Sequence, residues 1–201
     1  SIFVREKGQN VLDARKLNNS GERDLVKLKI KIVKIQDKTL QKYLDGIEKR
    51  LEAADGLDSE KELYRRKKIN CLVIEEEGTT GLTGDTEDSE KEGEKERWNA
   101  FWIGEGSETK VGTSLGRRGE GKQTMHDISI YKSVFGLSNQ EKGRKNLLMG
   151  KCVLPKTYKL NGKTYGRGAF FCDEKKVGDY LQQIPINDKN EIDLFKKDFG
   201  I

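Results

Sequence analysis

The stretch EEEGTTGLTGD, residues 75–85, combines residue types that suit a ligand-binding loop. Four apolar residues, 71–74, lead into the carboxylates of Glu75, Glu76 and Glu77. Three glycines and three threonines follow within seven residues. Glycine adopts backbone conformations that other residues avoid and lets a chain approach a ligand closely. The composition therefore predicts a loop that cradles a ligand, with acidic side chains at its entrance.

A second glycine-rich stretch, GRRGEGKQ at residues 116–123, suggests phosphate chemistry. It nearly fits the phosphate-binding P-loop, G-x-x-x-x-G-K-[ST], but Gln123 stands where Ser or Thr should hold magnesium. The preceding segment ETKVGTSL is short and polar for the strand that a P-loop follows. The hydrophobic strand that ends in an acid, LVIEE, comes before this loop instead of after it. We therefore set the P-loop aside and interpret the glycines as G-x-x-G-x-G, at Gly116, Gly119 and Gly121.

The N-terminal segment REKGQNVLDAR carries three polar side chains at helical spacing. Asn10 follows Glu6 by four residues, and Asp13 follows Asn10 by three. On an α-helix these three side chains share one face. That face is either simply solvated or directed at the glycine loops, and the second alternative requires the helix to lie across a sheet.

Hydrophobic periodicity predicts the elements that must position these residues. Helices are expected at 2–17, 38–54, about 58–67 and 122–135, and strands at 25–35 and 69–75. The first strand alternates strictly, so Val26, Leu28, Ile30 and Ile32 are expected on its buried face and the lysines between them in water.

The C-terminal part predicts a pair of strands. LLMGKCVLP and TYGRGAFFC are expected to pair around Asn161-Gly162, a hairpin signal. The tail DYLQQIP to EIDLFKKDF is expected to be helical. The whole order predicts an α+β fold, a two-layer sandwich of one mixed, mostly antiparallel sheet with helices on one face.

Aromatic residues and the single histidine are expected to be structural. Trp98, Phe101 and Trp102 lie at helical spacing, which favours a core or lid-hinge position over a platform for a base. His126 is expected to cap or pack instead of catalysing. The charged run 85–97 is expected to be solvated.

Composition limits the class of protein. A net charge of +5, from 39 basic and 34 acidic residues, permits contact with nucleic acid without arguing for it. Three scattered cysteines without a CxxC fit a reducing cytoplasm, and no apolar run of the sequence reaches about 18 residues, so we expect neither a signal peptide nor a transmembrane helix. We expect a cytoplasmic protein with no membrane contact. The 201 residues suit a single domain, 1–201, which we expect to be a fragment of a longer protein.

The order of these motifs resembles the GHKL ATPases, whose nucleotide-binding domain has the Bergerat fold. The family includes the ATPase parts of type II topoisomerases, MutL, histidine kinases and the large heat-shock chaperone. Its pattern is an N-box helix (E-x-x-x-N-x-x-D/A), then D-x-G-x-G at a strand end, a lid, and G-x-x-G-x-G opening a helix. This chain gives EKGQNVLDA at 6–14, EEGTTG at 76–81, a mobile excursion at 83–115 and GRRGEG at 116–121. The resemblance spans about 2–135, and the glycine loops with FGL look most like bacterial members encoded beside restriction or phage-defence genes.

The resemblance implies roles for the residues of the first two motifs. Glu6 would orient or deprotonate the attacking water, and Asn10 would hold Mg²⁺ through its side-chain oxygen. Asp13 would lie in the layer of side chains that surrounds these two residues, near the base pocket. Glu76 would accept a hydrogen bond from the adenine amino group, and Gly78 would leave room for the flat base. Thr79 and Gly81 complete that loop.

The resemblance assigns the triphosphate to the third motif. Backbone N–H groups of Gly116, Gly119 and Gly121 would bind phosphates at a helix N-terminus, and Arg118 and Lys122 would add positive charge. The implied activity is Mg²⁺-dependent ATP binding with slow hydrolysis, in which lid ordering around the γ-phosphate acts as a clamp. Dimerisation or a second domain would complete the site.

The chain departs from the family pattern at the base-reading position. Glu76 stands where the family has Asp, and G-T-T-G is one residue longer than G-x-G. Like charge from Glu75 and Glu77 is expected to raise the pKa of at least one of the three carboxyls. The alternative function is therefore a non-catalytic interaction module on the same fold. A histidine protein kinase would need a phosphoacceptor helix, and His126 lies in the wrong place for one.

Overall fold

The computed structural model describes residues 2–17, 20–44, 46–54, 68–87, 96–103, 125–140 and 145–201. Their helices and strands confirm a mixed α+β chain. In chain order the elements are α1 (Ile2–Asp13), β1 (Lys27–Gln36), α2 (Asp37–Leu40), α3 (Ile47–Ala53), β2 (Lys68–Glu77), α4 (Arg97–Trp102), β3 (Ser133–Gln140), β4 (Lys145–Val153), β5 (Tyr158–Leu160), β6 (Lys163–Tyr165), β7 (Gly168–Phe171), β8 (Asp173–Val177), β9 (Tyr180–Ile184) and α5 (Lys189–Phe199).

The described strands form four sheets, and all of their strand pairs are antiparallel. β1 and β2 pair along ten residues each, from Lys27 opposite Glu77 to Gln36 opposite Lys68. β3, β4 and β7 form a three-stranded sheet, and the pairs β5–β6 and β8–β9 stand apart. In the described part of the chain, no strand hydrogen bonding joins the β1–β2 ladder to the three-stranded sheet, whereas the sequence predicted one sheet.

The main core lies where α2, α3 and α5 cover the three-stranded sheet. Leu148 of β4 is completely buried there, and its backbone exchanges two hydrogen bonds of 2.9 Å with Ile186. Met149, the next residue, points to the opposite face of β4 and packs with Trp98 and Trp102 of α4. One strand therefore supplies both cores, since successive side chains alternate across it.

Several predicted boundaries are wrong because tertiary pairing and local breakers override helical spacing. Residues 125–128 make one helical turn, but 133–140 form β3, which pairs with β4. The tail is a strand up to Ile184, and α5 begins only after Pro185, where Asp188 caps it by accepting from the Glu191 N–H at 2.9 Å. Gly46, at φ 70°, separates α2 from α3 within the predicted helix 38–54.

Other expectations at the element level are confirmed. β4 and β7 pair as predicted, and Asn161 and Gly162 make a turn with φ of 51° and 77°. That turn closes the small β5–β6 hairpin instead of joining β4 directly to β7. The helix predicted at about 58–67 lies outside the described residues. In the described segments, no helix has both the length and the apolar character needed to cross a lipid bilayer.

The buried face of β1 is the opposite of the predicted one. Ile30 and Ile32 are 45% and 69% exposed, whereas Val33 and Ile35 pack into the main core. The lysine side faces the body of the molecule, and the Lys31 ammonium donates to the Gly200 carbonyl at 2.6 Å. Both faces of β1 carry apolar residues, so alternation alone did not identify the inner one.

Candidate functional site

The end of α1 is joined to the first glycine loop by backbone hydrogen bonds. The Lys16 N–H donates to the Gly78 carbonyl at 3.1 Å, and the Thr80 N–H donates to the Ala14 carbonyl at 2.9 Å. Between them, Arg15 and Thr79 form an isolated antiparallel bridge. The structure therefore brings the first two sequence motifs together, although they lie about sixty residues apart in the chain.

The helix α1 lies on the side of the β1–β2 ladder to which Glu76 points. Lys7, on the inner side of α1, has its ammonium 3.9 Å from the Glu76 carboxylate, and Val11, one turn later, is 2% exposed. Burial lowers the pKa of Lys7, and the negative charge of Glu76 opposes part of that shift. Helix and base-reading candidate thus share one face, which we call the α1 face of the ladder.

The α1 face is apolar around Glu76. It comprises the even-numbered residues of both strands, because directly opposed residues in an antiparallel ladder point the same way. Leu28 lies opposite Glu76, and Ile30 lies opposite Ile74. Leu72 is 43% exposed one pair further along. A carboxylate therefore stands at the edge of a partly exposed aliphatic surface.

The two neighbouring acids point to the other face and meet lysines of β1. The Lys29 ammonium lies 3.2 Å from one Glu75 oxygen, Lys31 contacts the other, and Lys27 lies 3.4 Å from Glu77. Hydrogen bonds from Lys31 and Lys29 hold the pKa of Glu75 below its ordinary value. The increase in pKa that was expected for at least one of the three carboxyls does not occur at Glu75, because alternation turns Glu76 to the opposite face and two lysines of β1 contact Glu75.

The polar face of α1 points away from the buried one. Asn10 and Asp13 are both exposed, and the Asp13 carboxylate accepts a hydrogen bond of 2.9 Å from the Gln9 amide. The backbone of Glu6 belongs to α1, but its side chain lies outside what the structure describes. The helix thus turns Lys7 and Val11 toward the ladder and leaves Asn10 open to solvent.

Two positions in this loop require glycine, because other parts of the protein lie too close for a side chain. At Gly78, with φ 80°, a Cβ would lie 2.2 Å from the Leu25 carbonyl oxygen. At Gly81, with φ 66°, a Cβ would lie 2.8 Å from Ser138 Oγ. Glycine avoids both the clash and the strain of positive φ. The glycines therefore set the path of this loop between β1 and β3.

The same loop is fastened to β3 and α4. Ser138 Oγ accepts from the Leu82 N–H at 2.9 Å, and the Gln140 amide donates to the Leu82 carbonyl at 2.6 Å. The Trp98 N–H donates to the Thr83 carbonyl at 2.8 Å. Arg97 donates to Thr80 Oγ1 at 3.1 Å. The described ends of the predicted lid, 83–87 and 96–103, are consequently tied to the body of the protein.

The outcome for the remaining predicted residues is mixed. Trp98 and Trp102 are 2% and 1% exposed, which confirms their core role. His126 is buried, and its Nδ1 lies 2.9 Å from the Lys132 carbonyl oxygen, as expected of a packed histidine. The phosphate-binding candidates lie outside the described residues: Gly116, Arg118, Gly119, Gly121 and Lys122.

Lys7 is the residue of this site that the motif analysis missed. The sequence did hold a signal, because Val4, Lys7 and Val11 follow one another at helical spacing. A lysine therefore interrupts the apolar stripe of α1, and such a position puts an ammonium at a buried surface. The Lys7–Glu76 pair supplies one hydrogen-bond donor group and one acceptor group side by side.

A separate cavity of about 80 Å³ lies between α3 and the three-stranded sheet. It is lined by Tyr43, Ile47, Arg50, Phe135, Cys152 and other residues of the main core, and by none of the predicted site residues. Its volume is about half of the roughly 150 Å³ that admits benzene in an apolar core. We therefore regard it as a packing gap in the core.

Cysteine and metal chemistry gain no support from the described residues. Burial raises the pKa of Cys71 and Cys152 to about 11 and that of Cys172 to about 12, so the thiols stay protonated at neutral pH. Among the residues that the structure describes, no group of three or more His, Cys, Asp or Glu side chains is arranged to hold a metal ion.

Comparison with known proteins adds no assignment to this geometry. Protein-family models, curated proteins and solved structures give no match to the chain.

Proposed function

We propose that this chain binds a Mg²⁺–adenine nucleotide where α1 meets the loop 78–85, and that it hydrolyses ATP slowly. In this proposal the domain is of the GHKL type, with its layers arranged as a Bergerat sandwich. The observation that carries the proposal is the backbone pairing of residues 14–16 with 78–80, which joins the N-box helix to the glycine loop. The same two motifs line the nucleotide site that the resemblance implies.

The α1 face of the ladder has the chemistry that a purine base needs. Ligand sites are mainly apolar and carry a few polar groups that fix orientation. Leu28, Ile30 and Ile74 would contact the flat ring, and Glu76 would accept from its exocyclic amino group. The exposed fraction of Ile30, 45%, leaves apolar area that a bound base would remove from water.

The exposed side of α1 suits the magnesium and phosphate end. Mg²⁺ keeps several waters and takes few protein ligands, so the accessible Asn10 amide oxygen together with the phosphates would hold it. Glu6 would orient the attacking water. The second glycine motif, 116–121, would bind the phosphates through backbone N–H groups. Lid ordering around the γ-phosphate would then change the contacts of a partner or a second domain.

A non-catalytic interaction module is the second candidate, and a specific contact favours it. Lys7 already places a positive charge 3.9 Å from the Glu76 carboxylate. Gly78 and Gly81 are both in close contact with the protein's own backbone or side chains. In that case the exposed aliphatic residues of the α1 face would serve a partner protein instead of a base.

A thermal-shift titration separates the two candidates. The ligands are ATP, ADP, GTP and a non-hydrolysable ATP analogue, each with and without Mg²⁺. Ligand at 100 times its Kd adds about 2.7 kcal/mol, which is roughly 5–10 °C for a domain of this size. We expect a Mg²⁺-dependent shift with adenine nucleotides that Asn10→Ala removes. Asn70→Ala, which changes an exposed asparagine of β2, is the matched control and should leave the shift intact.

Hydrolysis needs its own variant. Glu6→Gln should retain the ATP-dependent shift while reducing phosphate release about 10²- to 10⁴-fold, because the amide cannot take a proton from water. If no nucleotide stabilises the chain, the proposal is contradicted and the interaction module becomes the favoured function. If ATP stabilises the chain but the unmodified protein and Glu6→Gln release phosphate equally fast, the binding site is supported and Glu6 has no catalytic role.

A further inference from the structure

The β5–β6 hairpin and its flanks carry most of the net positive charge of the chain. Residues 154–172 contain no Asp or Glu and four basic side chains: Lys156, Lys159, Lys163 and Arg167. The whole chain has 39 basic and 34 acidic residues, so the remainder has 35 and 34. Four of the five net charges therefore lie on one small hairpin. Such a concentration of charge creates a local positive potential that attracts polyanions.

The exposed residues of the hairpin are all of types that bind phosphate. Nine residues between 156 and 167 are exposed, and each is a Lys, Arg, Thr, Asn or Gly: Lys156, Thr157, Lys159, Asn161, Gly162, Lys163, Thr164, Gly166 and Arg167. These side chains and accessible backbone N–H groups make the phosphate contacts of DNA-binding proteins. A surface that serves only solubility intersperses both signs of charge. The absence of any acid from this segment therefore favours an anionic partner.

The backbone of the hairpin is held in place from its inner side. Tyr158 is 3% exposed and stacks on Tyr165 with ring centres 5.3 Å apart. Arg50 of α3 donates to the Tyr158 hydroxyl at 2.7 Å, and its guanidinium lies 5.4 Å from the centre of the Tyr165 ring. At the base, the Leu154 N–H donates to the Arg167 carbonyl at 2.8 Å. The basic side chains thus project from an ordered backbone, which lowers the entropic cost of binding.

The orientation of the aromatic residues argues against single-stranded nucleic acid. Proteins that bind single strands stack the bases on accessible aromatic rings. Here Tyr158 and Tyr165 stack on each other on the inner face. Lys159 pairs with Thr164 in the register, and alternation places both on the opposite, outer face. The outer face therefore offers hydrogen-bond donors for phosphates and no ring for a base.

We propose that the β5–β6 hairpin binds double-stranded DNA by its phosphates, with the turn at Asn161-Gly162 entering the major groove. Two paired strands lie about 4.8 Å apart, and the B-form major groove, about 12 Å wide, admits such a ribbon. The major groove of duplex RNA is too deep and narrow for it. The four basic side chains would meet phosphates at the edges of the groove. This inference does not depend on the proposed nucleotide site.

The salt dependence of DNA binding tests the proposal. Fluorescence anisotropy gives the Kd of a short labelled DNA duplex of mixed sequence for the full 201-residue chain. Four phosphate contacts should weaken binding about 100-fold between about 50 mM and 200 mM salt. In Lys159→Gln/Lys163→Gln two contacts are lost, so the same change of salt should weaken binding only about tenfold. That variant should also bind about tenfold more weakly than the unmodified chain at the lower salt concentration.

Two control variants separate the hairpin from overall charge. Lys34→Gln/Lys68→Gln removes the same charge from exposed positions of the β1–β2 ladder, and it should leave the Kd and its salt dependence unchanged. Lys159→Arg/Lys163→Arg keeps both charges and should retain binding. Thermal unfolding verifies that each variant is folded. If the hairpin double variant is not, Lys159→Gln alone should reduce the salt dependence by about half as much.

The proposal is overturned by several distinct results. No binding of the duplex at the lower salt concentration contradicts it directly. Equal weakening by the hairpin and ladder double variants would mean that only net charge matters. Tighter binding of a single strand, or equal binding of duplex RNA, would contradict entry into the B-form major groove. Binding of phosphatidylserine vesicles without binding of DNA would make a membrane surface the partner. None of these results bears on the titration with ATP.

Discussion

Leu148 and Met149 of the three-stranded sheet are completely buried, whereas Ile30 and Ile32 of the β1–β2 ladder are 45% and 69% exposed. The first region packs helices on one face and α4 on the other, so its apolar area is removed from water by the protein itself. The ladder leaves similar side chains uncovered beside Glu76. The comparison shows that the sheet covers its own apolar side chains, whereas the ladder leaves part of its apolar surface exposed.

The two regions also differ in how polar groups are used. In the main core, Tyr43 contacts four aromatic rings and donates one hydrogen bond of 2.8 Å to Asp198. In the ladder, charged lysine and glutamate side chains pair across the strands at the surface. Exposed ion pairs contribute about 0–1 kcal/mol each, so we expect the ladder to open more readily than the sheet.

Matched leucines give the largest expected difference between the regions. Leu148→Ala should lower the free energy of unfolding by about 2–5 kcal/mol, because it removes buried methyl groups and leaves a cavity. Leu72→Ala makes the same chemical change at a site that is 43% exposed, and it should cost less than about 1.5 kcal/mol. Urea unfolding of the two variants measures both values. Equal losses would contradict the exposed α1 face.

Matched glycines test how tightly the candidate loop is packed. Gly78 and Gly162 have φ of 80° and 77°, but a Cβ at Gly162 meets nothing within 4 Å. Gly162→Ala should therefore cost about 1–2 kcal/mol from backbone strain alone. Gly78→Ala adds a clash with the Leu25 carbonyl and should cost about 1–2 kcal/mol more. Chemical denaturation measures the difference, and equal costs would mean that the loop moves freely away from Leu25.

The ion pairs of the ladder give the smallest effect, and it depends on pH. The pKa of Glu75 is below its ordinary value of 4.5 in the folded chain, so its favourable contribution is complete above that pH. The contribution is lost as the pH falls through the folded-state pKa, because the folded carboxylate must then be protonated. The stability difference between the unmodified chain and Glu75→Gln should therefore shrink as the pH falls below 4.5.

Removing the lysine partners of Glu75 tests whether they cause this pH dependence. In a Lys29→Met/Lys31→Met background, Glu75→Gln should have nearly the same effect at all these pH values, because the lysines cause the shift. Thermal unfolding at several pH values, with salt held constant, provides the comparison. A pH dependence that persists without the lysines would assign it to another group.

Much of the local structure was predictable because short-range signals determine it. The strand 69–75 lies within β2, the Asn161-Gly162 turn forms where expected, and Trp98 and Trp102 are buried at helical spacing. The prediction of a helix over 122–135 was wrong because β3 is stabilised by pairing with β4, which comes later in the chain. Helical spacing in a short segment does not outweigh such pairing.

The candidate site shows the same division between local pattern and tertiary contact. The sequence by itself placed a polar helix face, an acid-flanked glycine loop and a second glycine motif in one order along the chain. It did not indicate that Glu75 and Glu77 would be paired by lysines of β1 while Glu76 faces α1. Alternation separates two faces of a strand, but only the packed neighbours determine which face is buried and which charges meet there.

The sequence did not determine the orientation of Lys7 or which face of β1 is buried. A lysine within an apolar stripe and a strand with apolar residues on both sides are each compatible with two orientations. The tertiary structure chose between them, because the core takes Val33 and Ile35, and α1 brings Lys7 to within 3.9 Å of Glu76. Local patterns follow from backbone geometry, whereas partners far apart in the chain meet only when the fold places them together.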